Sequence, residues 1–188
     1  MSTFEGLVEE STGDCIQAAV GILDQGIGLL EGISDEVYCR KLAVASDASI
    51  GGHYRHCLDH FDCLLEGIQS GTLDYDKRRR EGRVETVRAA ALKMTEDIRE
   101  SLLRIHSSAL QRSIAVSCKV HYAVDRSQQV GSTVVRELMY AVAHAVHHFA
   151  LIAVMAKVMD FQLPREFGVA PSTLQHRSQM AASAGVMA

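Results

Sequence analysis

Residues 138–159 read LMYAVAHAVHHFALIAVMAKVM, an apolar run that contains three histidines. Its apolar residues recur at helical spacing, so the run predicts a helix whose main stripe faces a core. His144 and His148 are four residues apart, which places both imidazoles on one face of that helix, one turn apart. The run approaches the length of a membrane span, but the charges of Arg136 and Glu137 precede it. We therefore expect a buried helix of a helical bundle.

A second histidine-rich segment, residues 52–60, reads GHYRHCLDH. On a helix His53, His56 and His60 share one face, and three imidazoles on one face exceed what a core normally contains. One of them, together with His144 and His148, would complete a three-nitrogen metal site with open coordination positions. The competing interpretation is a set of ordinary hydrogen-bonded histidines at the edge of a bundle.

The periodicity of the rest of the chain predicts an all-α fold. Four helices are expected, at about residues 4–32, 47–70, 83–109 and 133–160. Asp47 is the expected N-cap of the second helix, and Ser70-Gly71 its end. Between helices three and four, apolar residues occupy every second position from Ile114 to Val124, which predicts a short extended segment without a partner strand. With 188 residues, the chain predicts a single domain over residues 1–175 and a flexible tail over 176–188.

Composition excludes several classes of function. The net charge is −4 and the chain has no tryptophan, so we expect neither nucleic-acid nor membrane binding. One basic run, KRRREGR at residues 77–83, is either a solvated loop or an anion contact. The five cysteines form no CxxC pair, which favours reduced thiols and a cytoplasmic protein.

Familiar catalytic motifs are absent from the sequence. The segment His144-Ala-Val-His147-His148 lacks the glutamate of an HExxH protease. The sequence also contains no ExxH pair, which disfavours a carboxylate-bridged di-iron bundle. The sequence also has no GxSxG, no P-loop and no GxGxxG.

Three segments of the chain resemble the DinB/YfiT-like superfamily of four-helix metalloproteins. They are SIGGHYRHCLDHF at residues 49–61, Arg136-Glu137-Leu138 leading into His144-x3-His148, and FGVAPST at residues 167–173. The resemblance implies a four-helix bundle with a long crossover, which can include residues 71–82, and a homodimer. It also implies one divalent metal ion held by one histidine of helix two and the H-x3-H pair of helix four.

Transferred to this sequence, the implied metal ligands are His56, His144 and His148. His53 and His60 compete with His56, because each lies one turn away on the same face. Asp59 and Glu137 are candidates to accept the outer N–H of a ligating histidine, and His147 is either such a supporting group or a surface residue. Imidazole ligands suit zinc, nickel and iron alike, so the residue types leave the metal open.

Two functions remain open at this point. The resemblance implies a metal-dependent enzyme, either a transferase for a low-molecular-weight thiol or a hydrolase of a small molecule. The alternative is a metal-binding module with a stress-related or regulatory role and no catalysis. A coordination position open to solvent would favour the enzyme, and a fourth protein ligand such as His53, His60 or Cys57 would favour the module.

Overall fold

The computed structural model describes the backbone of residues 2–185 and the side chains of residues 13–183. This part of the chain contains helices α1 (Ser2–Gly32), α2 (Asp35–Cys39), α3 (Ile50–Ser70), α4 (Gly82–Thr86), α5 (Arg88–Leu103), α6 (Ser107–Leu110), α7 (Val134–Val158) and α8 (Pro171–Gly185). Three short strands complete it: β1 (Thr72–Asp74), β2 (Ser113–Cys118) and β3 (Gln128–Thr133). The prediction of a mainly helical fold is confirmed.

The four long helices enclose a common core. Helix α3 packs against α7 and α5, and α1 packs against the same two helices from the other side. The stripes predicted from periodicity supply the core, as shown by the burial of Tyr54, Phe61, Leu138, Phe149 and Ile152. This packing places α3 and α7, which carry the two histidine segments, side by side.

The ends of these helices follow local capping chemistry. Ser49, rather than Asp47 as predicted, is the N-cap of α3, and its hydroxyl accepts a hydrogen bond from the amide of Gly52 at 3.0 Å. Asp47 lies in a preceding turn with a φ of 59°. Gly71 ends α3 as predicted, since its φ of 76° suits a residue without a Cβ.

The third predicted helix is interrupted. Val87 has an extended backbone with φ of −126° and ψ of 100°, which separates α4 from α5. Helix α5 then ends at Leu103 instead of continuing to Ala109, and the short α6 follows. The apolar periodicity continued through both breaks, so it predicted the buried face without showing where the helix stops.

The extended segment is confirmed as β2, but it is not a lone strand. It pairs in parallel with β1, where Leu73 faces Val116, and antiparallel with β3, where Val116 faces Val130. Because β1 directly follows α3 and β3 directly precedes α7, the sheet joins the ends of the two histidine-bearing helices. The predicted alternation ran on to Val124, but the strand ends at Cys118, and Val120 and Tyr122 are exposed.

The four predicted helices end near residue 160, but the structure has a further helix at the end of the chain. Helix α8 runs from Pro171 to Gly185, and nearly all of its described side chains are exposed. The flexibility of residues 176–188 and the single-domain boundary stay predictions.

Helix α7 is long and apolar enough to cross a membrane by length and composition, the one such helix among the described residues. The core helix of a soluble protein meets the same test. In this chain α7 packs against α1 and α3 and buries Glu137, which accepts a hydrogen bond from the buried Tyr75. A cytoplasmic location stays a prediction.

Candidate metal centre

Five histidines of α3 and α7 form one cluster. His53, His56 and His60 project from one face of α3, and His144 and His148 project from the facing side of α7. The ring centroids lie 4.0 Å apart for His60 and His144, and 4.5 Å apart for His144 and His148. Spacings of three and four residues place the histidines of α3 on one face, and the spacing of four does the same on α7. The packing of α3 on α7 brings the two faces together.

Three of these side chains can share a single ion. One ring nitrogen each of His56, His60 and His144 lies within 4.8 Å of the others. The Nε2 atoms of His56 and His144 are only 3.0 Å apart. Two nitrogens that bind one tetrahedral ion at about 2.1 Å are about 3.4 Å apart, so this separation fits a shared metal after a small adjustment.

His148 belongs to the same cluster but has a second neighbour. Its ring centroid is 4.7 Å from that of His56, while its Nδ1 lies 2.9 Å from Nδ1 of His53. The structure thus gathers the three predicted ligands His56, His144 and His148 in one cluster, but the ring nitrogens that lie within 4.8 Å of one another belong to His56, His60 and His144. The choice between His60 and His148 as third ligand stays a prediction.

Burial keeps these imidazoles neutral. It lowers the pKa of His56 to about 3, and the charges of His60, His148, Arg78 and His144 act in the same direction. Burial likewise lowers the pKa of His60, His144 and His148 to about 4 in each case. A neutral imidazole has a free lone pair, which is the form that binds a metal ion.

The tautomer of His60 is set by a backbone contact. Its Nδ1 lies 2.8 Å from the carbonyl oxygen of His56, so the Nδ1–H donates to that carbonyl. The Nε2 lone pair is then the one available to a metal ion, in the usual arrangement of a ligating histidine whose other nitrogen donates to a main-chain oxygen.

A wall of aromatic rings closes one side of the cluster. Tyr75, in the turn after β1, stacks on His60 with centroids 5.1 Å apart, and Tyr140 lies 5.8 Å from His144. Tyr140 is partly exposed and His144 is only half-buried, so solvent reaches the edge of the cluster beside this wall. Tyr75 was not predicted, because no pattern in the sequence links the turn after β1 to the histidines. Tyr140 was not predicted either, although it lies one turn before His144 on the same face of α7 and its spacing could have revealed it.

The two predicted carboxylates have other partners in the described part of the chain. Asp59 is buried and pairs with Arg55, whose Nη1 lies 2.7 Å from its Oδ2. Glu137, also buried, accepts a hydrogen bond from the Tyr75 hydroxyl at 2.9 Å. Glu137 therefore acts on the cluster through Tyr75 and not by direct contact with a histidine. His147 is exposed, with its ring 5.3 Å from that of His148.

Cys57 does not contribute to the cluster. It is buried in the core, and burial raises the pKa of its thiol. A thiol that holds its proton so strongly is a poor metal ligand, because the thiolate is the binding form.

Comparison with known proteins adds a sequence relative and a structural one. No protein-family model matches the chain. It is 28% identical over 163 residues to FK506-binding protein 5 of Rhizopus delemar, an alignment that covers 86% of this chain and 37% of that protein. The chain thus spans little more than a third of the length of this relative.

The structural relative is the crystal structure of YjoA, a DinB-like protein from Bacillus subtilis. The superposition has a TM-score of 0.61 at 20% sequence identity and covers 80% of this chain and 96% of YjoA. The chain therefore has a DinB-like fold, as the sequence resemblance implied.

Proposed function

We propose that this chain, with its DinB-like fold, is a metalloprotein that binds one divalent ion among the histidines of α3 and α7. The observation that carries the proposal is the convergence of ring nitrogens of His56, His60 and His144 within 4.8 Å. Imidazoles held this close without a carboxylate among them are expensive to bury unless they share a proton or a cation. Zinc, nickel and iron are the candidate metals.

The reaction that fits best is thiol transfer or hydrolysis of a small molecule. A divalent ion bound by three imidazoles can hold a thiol as thiolate or lower the pKa of a bound water to about 7. The chain itself supplies neutral imidazoles, an orienting carbonyl behind His60 and the aromatic wall of Tyr75 and Tyr140. The partial exposure of Tyr140 gives a small molecule a route to the cluster.

A second candidate is a metal-binding module without catalysis. The presence of His148 and His53 beside the other three imidazoles supports it, since four protein nitrogens would fill a tetrahedral coordination sphere. Coordination by three nitrogens and a water supports the enzyme, and coordination by four nitrogens supports the module. X-ray absorption spectroscopy of the metal-loaded protein distinguishes the two.

The homodimer and its small-molecule partner stay predictions.

Elemental analysis of protein purified without added metal tests the proposal. We expect about one metal ion per chain, and a loss of at least tenfold in metal affinity when His56 or His144 is replaced by alanine. The variants His60→Ala and His148→Ala identify the third ligand as the one whose loss costs more affinity. The exposed His147→Ala variant is the matched control and keeps the metal. Retention of stoichiometric metal by a His144→Ala/His148→Ala double variant refutes the proposal.

A further inference from the structure

Arg78 occupies a fixed position beside the histidine cluster. It follows the short 3-10 turn Tyr75–Lys77, and its Nη1 donates a hydrogen bond to the carbonyl oxygen of Tyr75. The ring of the same tyrosine stacks on His60. The guanidinium is thereby tied to the residue that forms the wall of the cluster.

Arg78 differs from Lys77 and Arg79, the residues on either side of it, because each of those two has a carboxylate partner. Lys77 lies 3.1 Å from Asp74, and Arg79 pairs with Asp62 and Glu66. Among the described residues Arg78 has no such carboxylate partner, and its buried Nε has no hydrogen-bond acceptor. An arginine stays charged at any physiological pH, so a buried N–H of this kind favours an anionic acceptor.

Arg136, a second cationic side chain near the cluster, already has a carboxylate partner. Arg136 lies over the ring of Tyr140 at 5.7 Å, and its Nη1 donates to Glu137 at 2.8 Å. By contrast, the charge of Arg78 acts on three of the histidines, where it adds to burial in lowering the pKa of His56, His60 and His144. Its charge also acts on the buried Asp59, which forms its salt bridge with Arg55 instead. Arg78 is thus a positive charge near the cluster without an ion-pair partner among the described residues.

We propose that Arg78 binds the carboxylate of a small anionic ligand whose other end reaches the metal centre, so that the site selects molecules that carry a carboxylate. This inference rests on the proposed metal-binding function. The planar guanidinium presents a pair of N–H groups that match the two oxygens of a carboxylate. A single arginine suits this monoanion better than a phosphate, whose higher charge usually recruits several donors. The basic run of residues 77–83 is then in part an anion contact, through Arg78.

Two thiols of similar size, of which only one carries a carboxylate, test the proposal. The comparison of wild type with Arg78→Gln separates the contribution of Arg78 from any chelation of the metal by the carboxylate. Mercaptoacetate carries a carboxylate where 2-mercaptoethanol carries a hydroxymethyl group, and both are titrated into the cobalt(II)-loaded protein. The thiolate-to-cobalt absorption band reports their Kd. We expect mercaptoacetate to bind about tenfold more tightly, the usual scale of a charge-assisted contact. The preference should fall about tenfold in Arg78→Gln, fall less in Arg78→Lys, and stay as in the wild type in Arg83→Gln, whose arginine is exposed.

The outcomes separate this inference from the proposed function. Cobalt content per chain is measured in every sample after desalting. If cobalt is stoichiometric but the wild type shows no preference, or if Arg78→Gln keeps the full preference of the wild type, the role of Arg78 is refuted and the metal centre stands. If cobalt does not bind, the proposed function fails and the inference fails with it. Should Arg78→Gln not fold, the wild-type comparison and Arg78→Lys still decide.

Discussion

The hydroxyl of Tyr75 donates a hydrogen bond to Oε2 of Glu137 across 2.9 Å, and both side chains are buried. The other carboxylate oxygen, Oε1, accepts hydrogen bonds from Ser132 at 2.6 Å and from Arg136 at 2.8 Å. One carboxylate of α7 thus fixes the turn after β1 and the end of β3. Because Tyr75 stacks on His60, Glu137 also positions the aromatic wall of the histidine cluster.

Replacement of Glu137 should therefore cost stability. In Glu137→Gln one of the two carboxylate oxygens becomes an amide N–H₂ group, which cannot accept a hydrogen bond. Either the donor Tyr75 or the donors Ser132 and Arg136 then lose their acceptor, which leaves a buried polar contact unsatisfied. We expect a loss of about 2–3 kcal/mol in the free energy of unfolding, measured by urea denaturation. Glu166→Gln at an exposed position is the control. A loss below about 0.5 kcal/mol, the usual limit for surface changes, would contradict this role.

The metal-free protein should become less stable as the pH falls from about 7 to 4. Burial holds the pKa of His60, His144 and His148 at about 4 and that of His56 at about 3, whereas an unfolded histidine has its ordinary value near 6.5. In that window the unfolded chain binds more protons than the folded one, so acid favours unfolding, and the stability is fully present above about pH 6.5.

Urea denaturation between pH 7.5 and 4.5 measures this effect. The double variant His144→Gln/His148→Gln should show a shallower pH dependence than the wild type, because two of the responsible groups are gone. His176→Gln, at an exposed site on α8, should leave the slope unchanged. Equal slopes for wild type and double variant would show that these histidines are not the groups that titrate.

Metal should stabilise the folded chain and its removal should reverse the effect. A ligand that binds only the folded state at one hundred times its Kd adds about 2.7 kcal/mol. We expect zinc to raise the Tm of the wild type, and a chelator to lower it again. His56→Ala should lose this response, whereas His147→Ala keeps it; an equal response in all three proteins would place the ion elsewhere.

Gly168 should not tolerate a side chain. Its φ is 67°, and a Cβ there would lie 2.5 Å from the carbonyl carbon of Phe149, which is backbone of α7. We expect Gly168→Ala to destabilise the protein by about 2 kcal/mol or more, measured by thermal denaturation. Gly28→Ala, a helical site on α1 where the added Cβ meets nothing within 4 Å, should stabilise by about 0.5–1 kcal/mol. The prediction fails if the two substitutions have effects of the same sign.

Apolar periodicity predicted the four long helices but not the sheet. The stripe through Leu138 and Phe149 is strong enough to be read from sequence, because burial of one helix face dictates it. Strand β1 has three residues, and β3 reads QQVGST with largely exposed side chains, so neither shows an apolar alternation. Their pairing with β2 depends on tertiary placement, which no local pattern records.

The histidine cluster was predictable in part for the same reason. Helical spacing placed His53, His56 and His60 on one face, and the structure brings that face against His144 and His148. Spacing alone could not choose the third ligand, since neighbours on one face differ only in their distance to α7. Tyr75 and Arg78 escaped prediction because they approach the cluster from a loop.

The parallel pairing of β1 with β2 has a consequence for the order of folding. Parallel neighbours cannot form as a local hairpin, and here α4, α5 and α6 lie between them in the chain. The segment that bears Tyr75 and Arg78 directly follows β1, so the support that it gains from β2 depends on a contact between distant parts of the chain. Loop-closure entropy makes such long-range contacts slow to form. We therefore expect Tyr75 to reach its position against the histidine cluster late during refolding.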